Sequence, residues 1–281
     1  MSLEQITVIL VTFNSKHCIQ ELSPVLKNIP NLVIVDNASS DQTLALVEND
    51  IPQAIRLANP KNLGFGAANN QALKLVKTPY AFLLNPDCAI SIEILESLYI
   101  WAEIYSDAAI LVPQLLKSNG EKDVSYRWPR SYWDSKGIAA EGPCCVGFAS
   151  GAALFLNLKN SKNIYFDESY FLYFEDDDIC QRVFEEKTQI IVIPEIQLIH
   201  QLGGSVRYKK PLIAHFYGGF YMAQSNIIYC TKYHGSEAAH TLRLKFFISS
   251  LLKIIISLVT LRINKMMRYV GRLFASCATK I

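Results

Sequence analysis

Four carboxylates stand in a row in the segment YFLYFEDDDICQR, residues 170–182. Crowded carboxylates raise one another's pKa, which suits an acid that must accept a proton from a hydroxyl near neutral pH. We predict that Asp177 and Asp178 open a helix, where unpaired N–H groups favour acids, and that Asp178 pairs with the arginine one turn later. Glu175 and Asp176 are predicted to end the preceding aromatic strand and to face a cleft.

Polar side chains also follow the predicted strands, at the level where ligands bind in an open parallel sheet. They are Thr12, Asn14, Asp36, Asn37, Asn85 and Asp87. As the last residue of an apolar strand, Asp36 could pair with ribose or base donors, although polar residues in such turns also serve as helix caps. Asp87 could bind Mg²⁺ or Mn²⁺ already held by a diphosphate, and it could equally be a turn aspartate.

His200 and the segment NLGFGAANN complete the candidate residues. His200 follows a predicted strand; a lone histidine is usually structural, but with an aspartate-rich site it could ligate a metal and favour Mn²⁺. The segment starts at Asn62 and is not a dinucleotide fingerprint, because Gly64 and Gly66 are its only glycines. We expect Gly64 to permit a backbone turn close to a ligand. Asn69 is expected to face the site from the first turn of the next helix.

The elements that must position these residues alternate along the first part of the chain. Short apolar runs such as ITVILVTF and NLVIVDNASS alternate with helical patterns, which predicts a doubly wound, mostly parallel sheet in an α/β fold. Further strands are predicted at residues 54–60, 80–88, 108–116, 152–157 and 189–194. Residues 117–150 lose this rhythm and are predicted to form loops over a cleft.

The composition indicates one large α/β domain with an extension. The chain has 281 residues, 51% of them hydrophobic, so a large core can form. Seven cysteines without a CxxC pair predict reduced thiols in the cytosol rather than disulfides or a zinc site. The net charge is +2, but the residues after Glu237 carry +8 and no acid, which leaves −6 for the body. Neither a signal peptide nor a nucleic-acid partner is predicted.

Residues 241–272 show one long helical pattern with a narrow polar stripe. Its apolar stretch, 246–261, would be about 24 Å long, short of a hydrocarbon core of roughly 30 Å. We therefore predict a domain at 1–237 and a basic amphipathic tail at 238–281 that anchors the protein on the inner surface of the cytoplasmic membrane. Packing on the body, packing on a second subunit of a homo-oligomer, and a true membrane span are the alternatives.

Seven blocks of the sequence together resemble a family 2 glycosyltransferase. They are VILVTFNS, LVIVDNASSD, NLGFGAANNQAL, FLLNPD, FASGAALFL, FDESYFLYFEDDDICQRV and IHQLGGS. Their order and spacing are most similar to the bacterial rhamnosyltransferase-like branch, and the resemblance covers residues 6 to about 235.

The resemblance implies a GT-A nucleotide-diphospho-sugar transferase fold and an inverting, single-displacement transfer. It implies a nucleotide-sugar site formed by Thr12, Asn14, Asp36, Asn37, Asn62, Gly64, Asn69 and Asn85. It makes Asp176 the base with Glu175 beside it, and it puts Asp87 and His200 at a divalent cation, Mg²⁺ or Mn²⁺. Gly151 and Arg127 are expected on the acceptor side. The family's acidic motif has two aspartates flanking one residue; Asn85 replaces the first here, which weakens the expected metal binding.

The resemblance also implies the partners. The donor would be dTDP-rhamnose or a UDP-sugar, and the acceptor a lipid-linked glycan in cell-surface polysaccharide synthesis, such as O-antigen. The alternatives are a polyprenyl-phosphate sugar synthase, a nucleotidyltransferase and a non-catalytic nucleotide-sugar-binding scaffold. A nucleotidyltransferase would need a basic glycine-rich signature near the N-terminus, and residues 11–15 have none. A degenerate scaffold would be expected to lose one of Asp36, Asp87, Asp176 and His200.

Overall fold

The computed structural model describes residues 2–127, 138–160, 164–201, 204–206 and 211–280. The strands are β1 (Ile6–Thr12), β2 (Leu32–Asp36), β3 (Ile55–Ala58), β4 (Tyr80–Leu84), β5 (Ala108–Leu116), β6 (Lys122–Asp123), β7 (Tyr126–Arg127), β8 (Cys144–Val146), β9 (Phe148–Ala149), β10 (Ala153–Asn157) and β11 (Gln189–Ile199). The helices are α1 (Lys16–Leu26), α2 (Thr43–Asp50), α3 (Phe65–Leu73), α4 (Ile92–Ile104), α5 (Glu175–Glu185), α6 (Pro211–Val259) and α7 (Ile263–Ala278). Part of the predicted cleft loops, 128–137, lies outside the described residues.

The central sheet has the strand order β3-β2-β1-β4-β10-β5-β11-β8. β1 pairs in parallel with β2 and β4, and β2 pairs in parallel with β3, so the carboxyl ends of these strands lie at one edge. β10 runs antiparallel between β4 and β5, whereas β11 is again parallel to β5. The chain runs outward from β1 through β2 to β3 and then returns to the other side of β1 at β4. This reversal of strand order is the place where α/β sheets bind ligands.

β1 shows why the sheet is covered on both faces. Its side chains alternate between the faces, and nearly all of them are buried. Val8 and Leu10 pack into one apolar core with residues of α1, α2 and α4. Ile9 packs into a second core with residues of α3 and α5. The apolar runs of the sequence therefore form the middle layer of a three-layer α/β unit, as predicted.

The predicted aromatic strand before the acidic cluster is wrong. Residues 171–174 form bends, and Tyr173 and Phe174 have positive φ angles of 69° and 67°, a conformation that does not fit a strand. Tyr170 and Phe174 are buried and pack with Tyr229 in a small aromatic cluster. Packing in this cluster, rather than backbone pairing in the sheet, therefore explains the burial of these two rings.

The chain divides into two compact units, Met1–Phe166 with Asp176–Arg207 and Asp167–Glu175 with Tyr208–Ile281. In the second unit α6 is interrupted at Gly235, which has a φ of +85° that only glycine adopts readily. The predicted boundary at residue 237 lies in this unit, next to the interruption.

The single helical pattern predicted over 241–272 is wrong. α6 ends at Val259, Leu261 adopts a φ of 53°, and α7 begins at Ile263. The Arg262 N–H donates to the Ser257 carbonyl at 2.8 Å and closes the end of α6. The second half of α6 and α7 thus form a helical hairpin. Among the described residues, no helix has both the length and the apolarity needed to cross a membrane.

Two glycines let α6 and α7 approach closely. A Cβ atom at Gly271 would lie 2.0 Å from the Phe216 carbonyl oxygen, and one at Gly219 would lie 2.0 Å from the Arg268 carbonyl oxygen. Both neighbours are backbone atoms, so neither can turn aside as a side chain could. The crossing of α6 and α7 therefore requires the absence of a side chain at both positions.

We expect Gly271→Ala to lower the free energy of unfolding by about 2 kcal/mol, because overpacking costs more than the helix propensity gained. Chemical denaturation monitored by circular dichroism measures the change. Gly142→Ala is the control, because no atom of the described residues lies within 4 Å of a Cβ atom built at Gly142. A Gly271→Ala protein as stable as the wild type would contradict this account of the crossing.

Candidate active site

The ends of β1 and β2 bring Thr12 and Asp36 together. They are register partners, and the Thr12 hydroxyl donates to Asp36 Oδ1 at 3.0 Å. Ser39 donates its N–H to Asp36 Oδ2 at 2.9 Å and its hydroxyl to Oδ1 at 2.5 Å. The Asn14 N–H donates to the Ser39 hydroxyl at 2.8 Å, so Thr12, Asn14 and Asp36 belong to one network. The buried Asp36 carboxylate is engaged by protein donors, as the helix-cap and turn alternative anticipated.

Asn37 holds the loop that carries Gly64. The Asn37 amide donates to the Gly64 carbonyl at 2.9 Å, and its oxygen accepts the Leu63 N–H at 3.2 Å. Asn62 Oδ1 accepts the Gly64 N–H at 2.9 Å. Gly64 has a φ of +92° and lies immediately before α3, so it makes the backbone turn that we predicted. Asn37 and Asn62 both point at this loop and fix its shape.

The predicted position of Asn69 is wrong. It is the fifth residue of α3 rather than part of the first turn, and its buried amide donates to the Phe65 carbonyl at 3.0 Å. The next residue, Asn70, exchanges two hydrogen bonds with the Phe166 backbone, at 2.8 and 2.9 Å. Sequence reasoning missed Asn70, because only the tertiary structure distinguishes the two neighbouring asparagines.

Asp87 and His200 lie together. Backbone hydrogen bonds join the two segments: Ala89 donates to the Ile199 carbonyl, and Gln201 donates to the Asp87 carbonyl. His200 Nε2 lies 3.5 Å from Asp87 Oδ1. Burial raises the pKa of Asp87, but the contacts with His200 and Ser205 outweigh it and hold this pKa below its usual value. Asp87 is therefore ionised at neutral pH.

The Asp87 and His200 atoms suit a divalent cation. Asp87 Oδ2 accepts the N–H groups of Gly204 and Ser205, both at 3.0 Å, which fixes the carboxylate. The other oxygen, Oδ1, is buried and has no hydrogen-bond partner among the residues that the structure describes. Two neighbouring ligands of an octahedral ion lie about 3 Å apart when each bond is about 2.1 Å, close to the separation found here. One oxygen and one nitrogen ligand would leave the remaining positions to a diphosphate and water.

Two further residues adjoin this pair. The Cys88 thiol lies within reach of Asp87 and His200, but burial raises its pKa, so it stays protonated and is a poor ligand. His17 Nε2 lies 2.6 Å from the Gly204 carbonyl oxygen and so holds the loop that donates to Asp87. Sequence reasoning missed His17, because its position in α1 carries no signal for a contact so distant in the chain.

Asp176 is linked to Asn85 through the turn that precedes β10. The Asn85 N–H donates to the Ala152 carbonyl at 2.8 Å, and the next residue back, Gly151, donates its N–H to Asp176 Oδ2 at 3.1 Å. The Asp177 N–H donates to Asp176 Oδ1 at 3.0 Å. A Cβ atom at Gly151 would lie 3.4 Å from Asp176 Cβ, so the glycine permits a close approach. These contacts fix both carboxylate oxygens.

The environment of Asp176 raises its pKa to about 6. Burial is the largest cause, and repulsion from Asp177 adds to it, while the two N–H donors and Arg127 oppose the rise. Arg127 donates to Asp177 Oδ1 at 2.8 Å and stacks over the Phe148 ring at 3.6 Å. The guanidinium that we expected on the acceptor side therefore pairs with an acid next to Asp176.

The four adjacent acids, residues 175–178, differ from the prediction in their positions relative to α5 and in their partners. α5 begins at Glu175, so the prediction that Glu175 and Asp176 precede the helix is wrong. Glu175 is buried and belongs to the second compact unit, whereas Asp176 belongs to the first. The predicted pair of Asp178 and Arg182 is confirmed at 2.9 Å. Asp177 was predicted only to open the helix, but it forms the buried ion pair with Arg127.

Comparison with known proteins identifies what this arrangement resembles. The family described as glycosyl transferase family 2 matches residues 7–157. A low-salt glycan biosynthesis hexosyltransferase, Agl10 of Haloferax volcanii, is 24% identical over 210 residues, or 70% of this chain and 67% of that protein. An N-acetylglucosaminyl-diphospho-decaprenol L-rhamnosyltransferase of Mycobacterium tuberculosis is 23% identical over 204 residues, or 60% of this chain and 66% of that protein. The chain thus spans about two thirds of the length of both relatives.

Solved structures share the fold. A mannosyltransferase from Pyrobaculum calidifontis, in complex with GDP-Man and Mn²⁺, superposes with a TM-score of 0.56 at 12% identity, over 97% of this chain and 86% of that one. TarS 1-349 of S. aureus in complex with UDP superposes with a TM-score of 0.55 at 19% identity, over 85% and 69%. The predicted GT-A fold is therefore confirmed, and the mixed sheet is its central layer.

Proposed function

Because the chain belongs to glycosyl transferase family 2, we propose that it is an inverting transferase that moves a sugar from a nucleotide donor to a hydroxyl of a lipid-linked glycan. The donor would be dTDP-rhamnose or a UDP-sugar, and the product a cell-surface polysaccharide. The rhamnosyltransferase relative, whose name specifies a diphospho-decaprenol substrate, supports this class of acceptor. The protein would act at the inner surface of the cytoplasmic membrane.

The observation that carries the proposal is the half-buried Asp176 carboxylate, which is held by two N–H groups and has a pKa raised to about 6. Such a group is ionised at pH 7 but remains basic enough to accept a proton. In the proposed step it takes the proton of the acceptor hydroxyl. The hydroxyl oxygen then bonds to the anomeric carbon while the bond from that carbon to the diphosphate oxygen breaks. One displacement inverts the anomeric configuration.

Asp87 and His200 would hold the divalent cation on the diphosphate side. When bound, such a cation stabilises the charge that develops on the leaving diphosphate. Asp87 and His200 would supply its protein ligands, and the Gly204 and Ser205 N–H groups would keep the Asp87 carboxylate in place. The turn at Gly64, fixed by Asn37 and Asn62, would border the sugar-nucleotide.

A screen of the purified protein against nucleotide sugars tests the proposal. We expect one donor, a dTDP- or UDP-sugar, to raise the melting temperature and to be hydrolysed slowly in the presence of Mn²⁺. EDTA should weaken both effects, because the cation bridges protein and diphosphate. The free nucleosides serve as the control for unspecific stabilisation. If no nucleotide sugar changes the melting temperature or is hydrolysed, with or without Mn²⁺, the enzyme assignment fails.

A further inference from the structure

The second half of α6, residues 236–259, is amphipathic, but its polar side faces the neighbouring helix α7 and its apolar side faces outward. Its polar side chains face α7: Arg272 donates to Ser250 at 2.8 Å and to Ser249 at 3.0 Å, and Ser257 is buried. The opposite side, here called the outer face, is apolar and 39% to 77% exposed; it consists of Leu244, Phe247, Ile248, Leu251, Leu252, Ile255, Ile256, Leu258 and Val259. A surface helix normally buries its apolar side. Within its own unit, no described residue therefore covers the apolar outer face.

The turn that follows extends this surface. Leu261 is 84% exposed and Ile263 is 54% exposed, and they alternate with the exposed cations Arg262 and Lys265. At the other end of the outer face, a cavity of about 470 Å³ is lined by Leu244 and Phe247 together with His240 and Arg243. Basic groups thus stand at both ends of an apolar surface about 22 Å long.

The charged residues of the hairpin decide whether a second copy of the chain or a lipid surface covers the outer face. Glu237 is the only Asp or Glu in residues 236–280 of the sequence, and eight Lys and Arg residues follow it, so most cations of the hairpin have no carboxylate within it to pair with. In a two-fold dimer through the outer face, the same patch meets itself, and these cations would gather without counter-charges. An anionic lipid surface supplies both apolar chains for the outer face and phosphates for the cations.

We propose that the outer face and the turn 260–263 insert into the surface of an anionic phospholipid bilayer. The polar contacts between α6 and α7 remain closed during insertion, because the apolar side already points outward. The hairpin, rather than a single in-plane helix, is then the membrane-binding element. This inference deepens the location given under the proposed function.

Sedimentation of the full chain with vesicles tests the apolar part. We expect binding to phosphatidylcholine vesicles that contain phosphatidylglycerol and much less to phosphatidylcholine alone, with high salt weakening it. The double substitution Leu252→Gln and Ile255→Gln should weaken binding about tenfold or more, because two exposed apolar side chains no longer insert. Ile100→Gln with Ile104→Gln on α4 is the matched control, since these residues are 57% and 60% exposed.

A second pair of variants tests the charges. Arg262→Gln with Lys265→Gln should remove most of the preference for phosphatidylglycerol, whereas Lys74→Gln with Lys77→Gln should not.

Absence of vesicle binding by the wild type would overturn the proposal, and so would binding that survives the Leu252 and Ile255 substitutions. If light scattering shows a dimer that dissociates only when Leu252 and Ile255 are substituted, the outer face binds a second copy of the chain and not a membrane. Vesicle binding needs no sugar donor, so its failure and a failure of sugar transfer are separate results.

Discussion

Replacing Asp176 by asparagine is expected to lower kcat/KM for sugar transfer about 10²–10⁴-fold, the usual contribution of a general base. The amide has the size of the carboxylate but cannot accept the acceptor proton. It keeps an oxygen for one of the two backbone N–H groups, from Gly151 or Asp177, so the fold should survive. Initial rates of transfer give the loss. Donor titration should show an affinity within a few fold of the wild type, because Asp176 has no proposed role in donor binding.

The pH dependence of kcat/KM in the wild type tests independently whether Asp176 is the base. The base works only when ionised, so kcat/KM should fall tenfold per pH unit below the pKa of about 6. The charged groups that set this pKa after burial are Asp177, which raises it, and Arg127, which lowers it. The residual activity of Asp176→Asn should not show this fall of kcat/KM at acidic pH. Asp107→Asn, an exposed acid, should behave as the wild type; if Asp176→Asn also does, the base is another residue.

The sequence predicts the sheet well and the second unit poorly, for physical reasons. β1 and β2 are apolar on both faces, and this composition alone indicates a strand covered on both sides. The direction of β10 is not encoded in its side chains, since an apolar strand reads the same in either direction. The end of α6 carries no glycine or proline; Leu261 turns the chain because α7 packs back onto α6, a tertiary cause that periodicity cannot reveal.

In the candidate site, too, the sequence predicts some contacts and not others. Asp87 and His200 follow strands that lead to one edge of the sheet, so their proximity could be predicted from position; their role as metal ligands stays a prediction. The roles of Arg127 and Asp177 could not be foreseen, because 50 residues separate them and only the fold brings them to 2.8 Å. Acids adjacent in sequence were expected to repel one another. Repulsion from Asp177 does raise the pKa of Asp176, while Asp177 and Asp178 each have an arginine partner.

Asp87→Asn is expected to lower kcat/KM about 10²–10³-fold and to remove most of the response to Mn²⁺, because the charged ligand of the cation is lost. Asparagine can still accept the Gly204 and Ser205 N–H groups through its oxygen, so the loop 204–206 should stay in place. Calorimetric titration of Mn²⁺ into protein saturated with UDP measures the loss apart from activity. The fall in Mn²⁺ affinity should be at least about tenfold.

The control for Asp87→Asn is Glu121→Gln, which removes an exposed acid with the same change of charge. Both variants should melt near the wild type, since Asp87→Asn keeps the two backbone hydrogen bonds. His200→Asn should reproduce the loss of Mn²⁺ affinity more weakly, because it removes a neutral ligand and leaves the carboxylate that attracts the cation. If Asp87→Asn binds Mn²⁺ as tightly as the wild type does, then Asp87 and His200 form only a structural contact. In that case the diphosphate charge must be met by other groups at the edge of the sheet.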